Sequence, residues 1–236
     1  MKKNILLIAA IALLALGFTS CEKQSEGKTQ ITYYAQIVLN GDATLVVAKG
    51  SDFVDPGFVA TMKGEDVTDK VTVTSNVDTS TSGVYTVNYS IVNEDGFPAN
   101  ASRTVIVLDL EDPVEGFWAC DPTSYREYND KVVAYGASFE ILIIQVEPGV
   151  YYVDDLFAGW YCQRAGYGSN YSMEGYIGIA EDGSISLLAS KVAGWGDSLD
   201  GLNDGKFDEK NKTITYQAVY NKGTMFFNVT LNKVDL

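Results

Sequence analysis

The chain contains no histidine, and that one absence removes a large share of enzymology. Ser-His-Asp and Cys-His nucleophile systems cannot be built, and neither can histidine-ligated zinc or iron sites. Catalysis would have to come from paired carboxylates, from lysine or tyrosine chemistry, or from a calcium-assisted reaction. Positive charge is also scarce: 17 Lys+Arg stand against 31 Asp+Glu, for a formal net charge of −14. Nucleic acid and anionic membrane faces both bind through cations, so neither suits this chain as a partner. Cysteines number three, and none lies between residues 31 and 112, so that part must hold by core packing alone. A hydrophobic content of 46% is enough for such cores. No apolar run reaches the roughly 20 residues that a membrane-spanning helix needs.

What is present begins with an address. Lys2 and Lys3 precede an apolar run over residues 5–16, and the segment closes on Phe18-Thr19-Ser20-Cys21. A basic start, a short apolar middle and small residues before a cleavage point are the parts of a secretory signal. The ending resembles the lipobox of bacterial lipoproteins, where a small residue precedes a cysteine that is lipidated and becomes the new N-terminus. Ser20 and Cys21 match that pattern, while Phe18 stands where leucine is usual. The resemblance implies lipid attachment at Cys21, and several acyl chains on one cysteine hold a soluble domain at a membrane where a single chain would not. Residues 1–20 are then a signal peptide. Residues 21–30 are polar and aperiodic, a flexible tether with a root-mean-square span of about 17 Å. The expected location is the outer membrane, lipid-anchored and exposed at the cell surface, with a periplasm-facing placement as the alternative.

From residue 31 to 112 the pattern is all-β. Thr44-Leu45-Val46-Val47 and Val71-Thr72-Val73-Thr74 are short β-branched runs, and residues 103–108 form another. Over residues 83–91 apolar and polar residues alternate, which puts Tyr85, Val87, Tyr89 and Ile91 on one face of a half-buried strand. Asn93-Glu94-Asp95-Gly96 carries the residue types of a turn. About seven short strands in about 80 residues point to a β-sandwich of immunoglobulin type. Gly50, Asp55-Pro56-Gly57, the run from Gly83 to Tyr89, Asp95-Gly96 and Arg103-Thr104-Val105 together resemble the bacterial Ig-like domains of Bacteroidetes-type surface lipoproteins. That resemblance implies a spacer, not a catalyst. Leu110-Glu111-Asp112-Pro113 marks the boundary, where the proline disfavours helix and the acidic pair is expected to keep a short joint solvated.

Residues 113–236 form a second unit of different character. Residues 114–236 hold 20 aromatics in 123 positions, against 7 in the 84 positions from 29 to 112, so binding is to be sought here. Strands are expected over 116–120, 138–146, 150–156, 160–163, 174–180, 185–189, 213–220 and 224–231, with a turn somewhere in 125–133. Eight antiparallel strands joined by hairpins make a small β-barrel or a curved β-sandwich. Gly116-Phe117-Trp118, and Gly205-Lys206-Phe207-Asp208 before Thr213, are similar to the lipocalin-like C-terminal domains of the same lipoproteins.

Cys120 and Cys162 remain once Cys21 is acylated, a candidate disulfide in an oxidising compartment, with two free thiols as the alternative. The stretch carrying Trp160, Tyr161, Tyr167 and Tyr171 interleaves rings with glycines, and Gly194-Trp195-Gly196 repeats the device. Rings so placed suit an exposed platform, because C–H faces of sugars stack on aromatic faces while Asn, Gln, Asp or Arg bond the hydroxyls. The competing reading is that Trp160 and Tyr161 fill the barrel interior. Two sharper motifs fail. The acidic run 200–208 has Leu202 at a calcium-ligand position and Asn211 where the closing glutamate belongs, and reads as an acidic hairpin. Asp154 and Asp155 are adjacent on a strand and point apart, so a glycosidase pair would need Asp121 or Glu127 as the second member.

The sequence thus describes a non-catalytic, cofactor-free lipoprotein that binds a polysaccharide or oligosaccharide, similar to accessory proteins of polysaccharide-uptake systems. Its alternative is a structural subunit docked to an outer-membrane complex. Changing Cys21 to Ser should move the protein from the membrane fraction to the soluble one with its melting temperature unaltered. A variant that stays with the membrane would sink the lipid-anchor assignment.

Overall fold

The structure is a computed structural model that describes residues 31–235. The signal peptide, Cys21 and the tether lie outside the described residues. The first unit comprises β1 (Gln36–Leu39), β2 (Thr44–Ala48), β3 (Phe58–Met62), β4 (Glu65–Asp66), β5 (Thr72–Ser75), β6 (Gly83–Val92) and β7 (Pro98–Leu108). They form two sheets, β1-β3-β4 and β2-β7-β6-β5, with β2 parallel to β7 and every other pairing antiparallel. The alternation along β6 does what a period of two requires. Val87, Tyr89 and Ile91 are buried while Val84, Asn88 and Val92 face water. At the β6–β7 turn, Asn93 Oδ1 accepts the N–H groups of Asp95 (3.1 Å) and Phe97 (2.8 Å), an Asx arrangement that closes the hairpin.

Between the sheets lies a charge. Arg103 is 0% exposed and its Nε is 3.0 Å from Asp55 Oδ1. Its Nη2 donates to the carbonyls of Asn40 (2.8 Å) and Gly57 (3.0 Å), and Nη1 to that of Asp42. Tyr89 completes the set by donating its hydroxyl to Asp55 Oδ2 at 2.7 Å. One guanidinium therefore binds the β1–β2 corner, the loop before β3 and strand β6 into one body. Five fixed donors make arginine, rather than lysine, the side chain able to do this. Asp55-Pro56-Gly57 is thus more than a loop start.

Strand β7 is buried on both faces. Val105 and Val107 face the sandwich core. Ile106 and Leu108 instead join Leu142, Ile144 and partly buried Phe117 of the second unit in a separate apolar cluster. The joint is solvent-exposed at Leu110, Glu111 and Pro113, as expected, but it is also bonded down through Asp112. Asp112 Oδ1 accepts from the N–H groups of Val114 and Glu115, both at 2.8 Å. Its Oδ2 accepts from Gln145 Nε2 (2.9 Å) and the Tyr151 hydroxyl (3.1 Å). Lys233 Nζ donates to the carbonyls of Asp112 and Pro113.

The second unit comprises β8 (Gly116–Cys120), β9 (Tyr125–Tyr128), β10 (Lys131–Ala134), β11 (Glu140–Glu147), β12 (Val150–Val153), β13 (Met173–Ile179), β14 (Ser184–Val192), β15 (Gly201–Asp208), β16 (Thr213–Tyr220) and β17 (Met225–Lys233). Eight of them, β8 and β11 to β17, form an antiparallel ring closed by β17 against β8, with Leu231 opposite Cys120. Of the two architectures expected, the barrel is the one formed. The first half of β17 pairs instead with β9, Met225 opposite Tyr128, so β9 and β10 form a hairpin flap beside the barrel. Residues 125–133, expected to hold only a turn, are this hairpin. Asn129 and Asp130 both have positive φ (51° and 58°), as a two-residue type I′ connection demands. The run 200–208 is mostly strand β15, and the turn follows it.

Inward-facing residues alternate along β16 and β17: Ile214, Tyr216 and Ala218, then Met225, Phe227, Val229 and Leu231. With Trp118, Phe157 and Trp160 they fill the interior, as small barrels do, so the barrel has a packed core and not a lumen. Replacing Arg103 by Met should cost about 3–5 kcal/mol in urea unfolding, since Asp55 and three carbonyls would be left without their donor. A loss below about 1 kcal/mol would show that the guanidinium does not brace the sandwich.

Candidate functional site

The segment from Asp154 to Ser172 connects β12 to β13 across one end of the barrel. Its expected strand over 160–163 is not formed. Residues Trp160–Arg164 make a π-helical turn instead, in which Ala165 N donates to Trp160 O at 3.1 Å. The reason lies at Asp155. Its Oδ1 accepts the N–H groups of Phe157 and Met173, both at 2.9 Å, and its Oδ2 accepts Gly159 N–H at 2.9 Å and the Cys162 thiol at 3.1 Å. Burial pushes this carboxyl up from the usual aspartate range, and the donors around it oppose that shift. Four donors on one side chain curl the backbone before it can continue as a strand. Gly159, with φ of 84°, lies so close to Phe139 that a Cβ there would collide with that ring's stem, and Ala158 before it takes φ of 50°.

Both rings of this curl pack against the barrel core, each 6.0 Å from the Phe227 ring, and they differ in how deeply they are buried. Trp160 is 3% exposed and packs edge-on against Tyr135 (4.9 Å) and Phe227 (6.0 Å). Tyr161 is half-buried: its ring lies 5.1 Å from Phe157, and its hydroxyl donates to Met225 Sδ at 3.4 Å. Around it gather Trp195 at 4.8 Å and Tyr167 at 6.1 Å between ring centroids. Tyr171 lies 4.9 Å from Trp195 and 5.4 Å from Tyr167. Tyr167 is 55% exposed and Trp195 39%. Four of the five rings singled out in the sequence therefore form one cluster, running from half-buried Tyr161 to exposed Tyr167 and Trp195, and the fifth, Trp160, is buried in the core.

Two loops build this cluster, and one glycine lets them touch. Gly194 donates its N–H to Asn170 O at 2.7 Å, and a Cβ on it would meet the Tyr171 ring at 2.7 Å. Beyond Trp195 a groove of about 360 Å³ runs along Asp197, Ser198, Asp200, Tyr220 and Lys222. There the Tyr220 hydroxyl donates to Asp197 Oδ2 at 2.8 Å. The chain enters the barrel from the Ig-like unit at the end that carries the β11–β12, β13–β14 and β15–β16 turns. The ring cluster sits at the other end.

Two residues that sequence reasoning did not connect arrive at the same place. The guanidinium carbons of Arg126, on β9, and Arg164 lie 4.7 Å and 4.2 Å from the Trp160 ring centroid. Arg164 was visible inside the aromatic stretch. Nothing local to Arg126 announces that its hairpin folds back onto residues 160 and 161.

The thiols are not bridged. Cys120 and Cys162 are both free, so the second of the two sequence-based alternatives is the one adopted. Cys162 donates its S–H to Asp155 Oδ2. Burial first, and then the Asp155 charge, push the Cys162 thiol up to about 12, and burial takes Cys120 to about 11. Neither is a reactive nucleophile. Asp154 turns to β11 and accepts Leu142 N–H at 2.9 Å. Asp121 is occupied in its own turn with Thr123. Among the described residues no group of three or more acidic or cysteine side chains could hold a metal ion.

Comparison with known proteins follows the two units. A family model described as a C-terminal domain matches residues 107–233, and that of the bacterial surface protein Ig-like domain matches residues 37–107. Among solved structures, the lipoprotein BT2262 from Bacteroides thetaiotaomicron is similar at 38% identity over 85% of this chain and 100% of that one, with a TM-score of 0.73. The CBM51-2 and INT domains of ZmpB from Clostridium perfringens, in complex with GlcNAc, are similar at 19% identity over 50% of this chain and 31% of that one. Their TM-score is 0.27, a likeness too slight to carry any argument. No curated protein matches the chain.

Asp154, at the root of the loop, makes the barrel sensitive to pH. Burial, with a smaller contribution from the Asp155 charge, raises its carboxyl to about 7 from 3.8. Between those values the folded state holds a proton that the unfolded chain has lost, so stability falls as pH rises, by about 1.4 kcal/mol per unit. Asp154→Asn keeps an acceptor for Leu142 N–H and has no proton to lose. Its stability relative to wild type should therefore rise between pH 5 and pH 8 in denaturant titrations. An unchanged difference would mean that Asp154 is ionised throughout.

Proposed function

Since the chain belongs to the family of the Bacteroides thetaiotaomicron lipoprotein BT2262, we propose that it is a lipid-tethered, non-catalytic protein of the outer-membrane surface whose barrel end binds a saccharide. The Ig-like unit acts as a spacer. The observation that carries this reading is the surface cluster of Tyr161, Tyr167, Tyr171 and Trp195. Rings that are fixed against one another lose little conformational entropy on binding, and two of them present substantial free surface. The adjoining groove supplies carboxylate and hydroxyl oxygens from Asp197, Asp200 and Tyr220, the complement a sugar's hydroxyls need. A role as accessory protein in polysaccharide uptake fits such a tethered binder.

Affinity electrophoresis against a panel of polysaccharides tests this. The wild type should be retarded by at least one of them, and Tyr167→Ala and Trp195→Ala should each weaken retention by about tenfold, equivalent to about 1.4 kcal/mol. Both side chains are exposed, so melting temperatures should hardly move. If no polysaccharide retards the wild type, the alternative of a structural subunit in a surface complex takes precedence. Variants that bind as well as wild type would mean that the rings are not the site.

A further inference from the structure

The chain has only three arginines, and their environments differ. Arg103 is neutralised by Asp55 inside the sandwich. Arg126 and Arg164 form no salt bridge with any carboxylate among the described residues, yet both lie against one ring, Trp160. Two cations drawn to one ring repel each other. Cation–π attraction, typically about 0.5–2 kcal/mol per pair, offsets that only in part. In a chain of net charge −14, carboxylates are abundant, so leaving two guanidiniums without one is a local exception to the composition.

Their remaining contacts show where they face. Arg126 Nε is buried with no hydrogen-bond partner, and its guanidinium reaches the Tyr161 hydroxyl, where it opposes the upward push of burial on that group. An unmet buried donor is costly unless something bound supplies the acceptor. Arg164 donates Nε to Tyr135 O at 3.0 Å and Nη2 to Ala134 O at 3.3 Å. Those bonds hold the side chain in place, and its Nη1 has no acceptor among the described residues. Arg126 thus lies against Tyr161, the half-buried member of the ring cluster, and Arg164 lies on the neighbouring Trp160. The guanidinium's planar fork matches the geometry of a carboxylate or sulfate.

We propose that the ring platform takes an anionic saccharide, a uronate or a sulfated sugar, with Tyr161, Tyr167, Tyr171 and Trp195 against the sugar rings and Arg126 and Arg164 on the acid group. This rests on the saccharide reading and narrows it to a substrate class. It also accounts for the charge pattern. The acidic surface repels polyanions at long range, so binding is restricted to a fragment that brings its acid group onto these two cations.

The test uses matched oligosaccharides and follows tryptophan fluorescence. One pair is a galacturonate oligomer and its carboxyl-reduced counterpart. The other is a chondroitin sulfate oligomer and its desulfated form. At least one acidic member should bind the wild type about tenfold or more tightly than its neutral partner, and which member does so tells carboxylate from sulfate. Arg126→Gln and Arg164→Gln should each remove that preference while leaving the weaker neutral binding in place. Arg164 is exposed, so its variant serves if Arg126→Gln fails to fold. Equal affinity for acidic and neutral members, or arginine variants that keep the preference, would overturn the anionic assignment and leave the saccharide platform standing. Absence of binding by every sugar, acidic or neutral, would overturn both.

Discussion

A single buried carboxylate decides the shape of the barrel's open end. Asp155 accepts three backbone N–H groups and one thiol, and those donors come from both ends of the loop between β12 and β13. Without that acceptor the loop's first turn would have buried, unpaired N–H groups, each a penalty of about 1–3 kcal/mol. With it, the chain curls tightly enough that Phe157 and Trp160 enter the core, and Tyr161 packs half-buried against Phe157 and Phe227. The tyrosines of the barrel interior reinforce the same loop: Tyr135 donates to Phe157 O at 2.7 Å and Tyr216 to Leu156 O at 3.2 Å. The ring cluster is therefore supported by hydrogen bonds from below, which is what a preorganised platform needs.

The same logic governs the other end. Asp112 gathers two backbone N–H groups, a glutamine and a tyrosine, while Ile106 and Leu108 bury themselves against Phe117, Leu142 and Ile144. The sandwich and the barrel are joined through packed apolar surface and a bonded joint. The layout of the described residues is a bonded pair of β units with the ring cluster at the far end of the second. A packed barrel core, in place of a lumen, leaves no interior cavity for a ligand.

Much of the fold was legible because its signals are local. Alternation along residues 83–91 follows from the period of a pleated strand, and the Asn93 turn from the ability of that side chain to bond the next backbone N–H groups. The platform was partly legible for a similar reason: Tyr161, Tyr167, Tyr171 and Trp195 stand among glycines, an environment that few cores offer. Trp160 stands among the same glycines and goes inward. Its direction depends on a π-helical turn produced by Asp155 and by the close approach of Phe139 to Gly159, neither of which has a signature at residue 160. Arg126 is a sharper case, since its place depends on the pairing of β9 with β17, a contact between residues about a hundred positions apart.

Composition and pattern alone determined that the chain is all-β, built as two units of unequal aromatic content, with no histidine chemistry and an N-terminus of lipoprotein type. These are consequences of residue identity and of short-range periodicity. Tertiary structure decided that the second unit closes into a barrel, that Cys120 and Cys162 are free thiols, that Asp112 is tied down by hydrogen bonds, and that Arg126 and Arg164 both come against Trp160. Each of those depends on which distant strands become neighbours. Strand register brings together groups that sequence order keeps apart, and it is settled by the burial of whole faces at once.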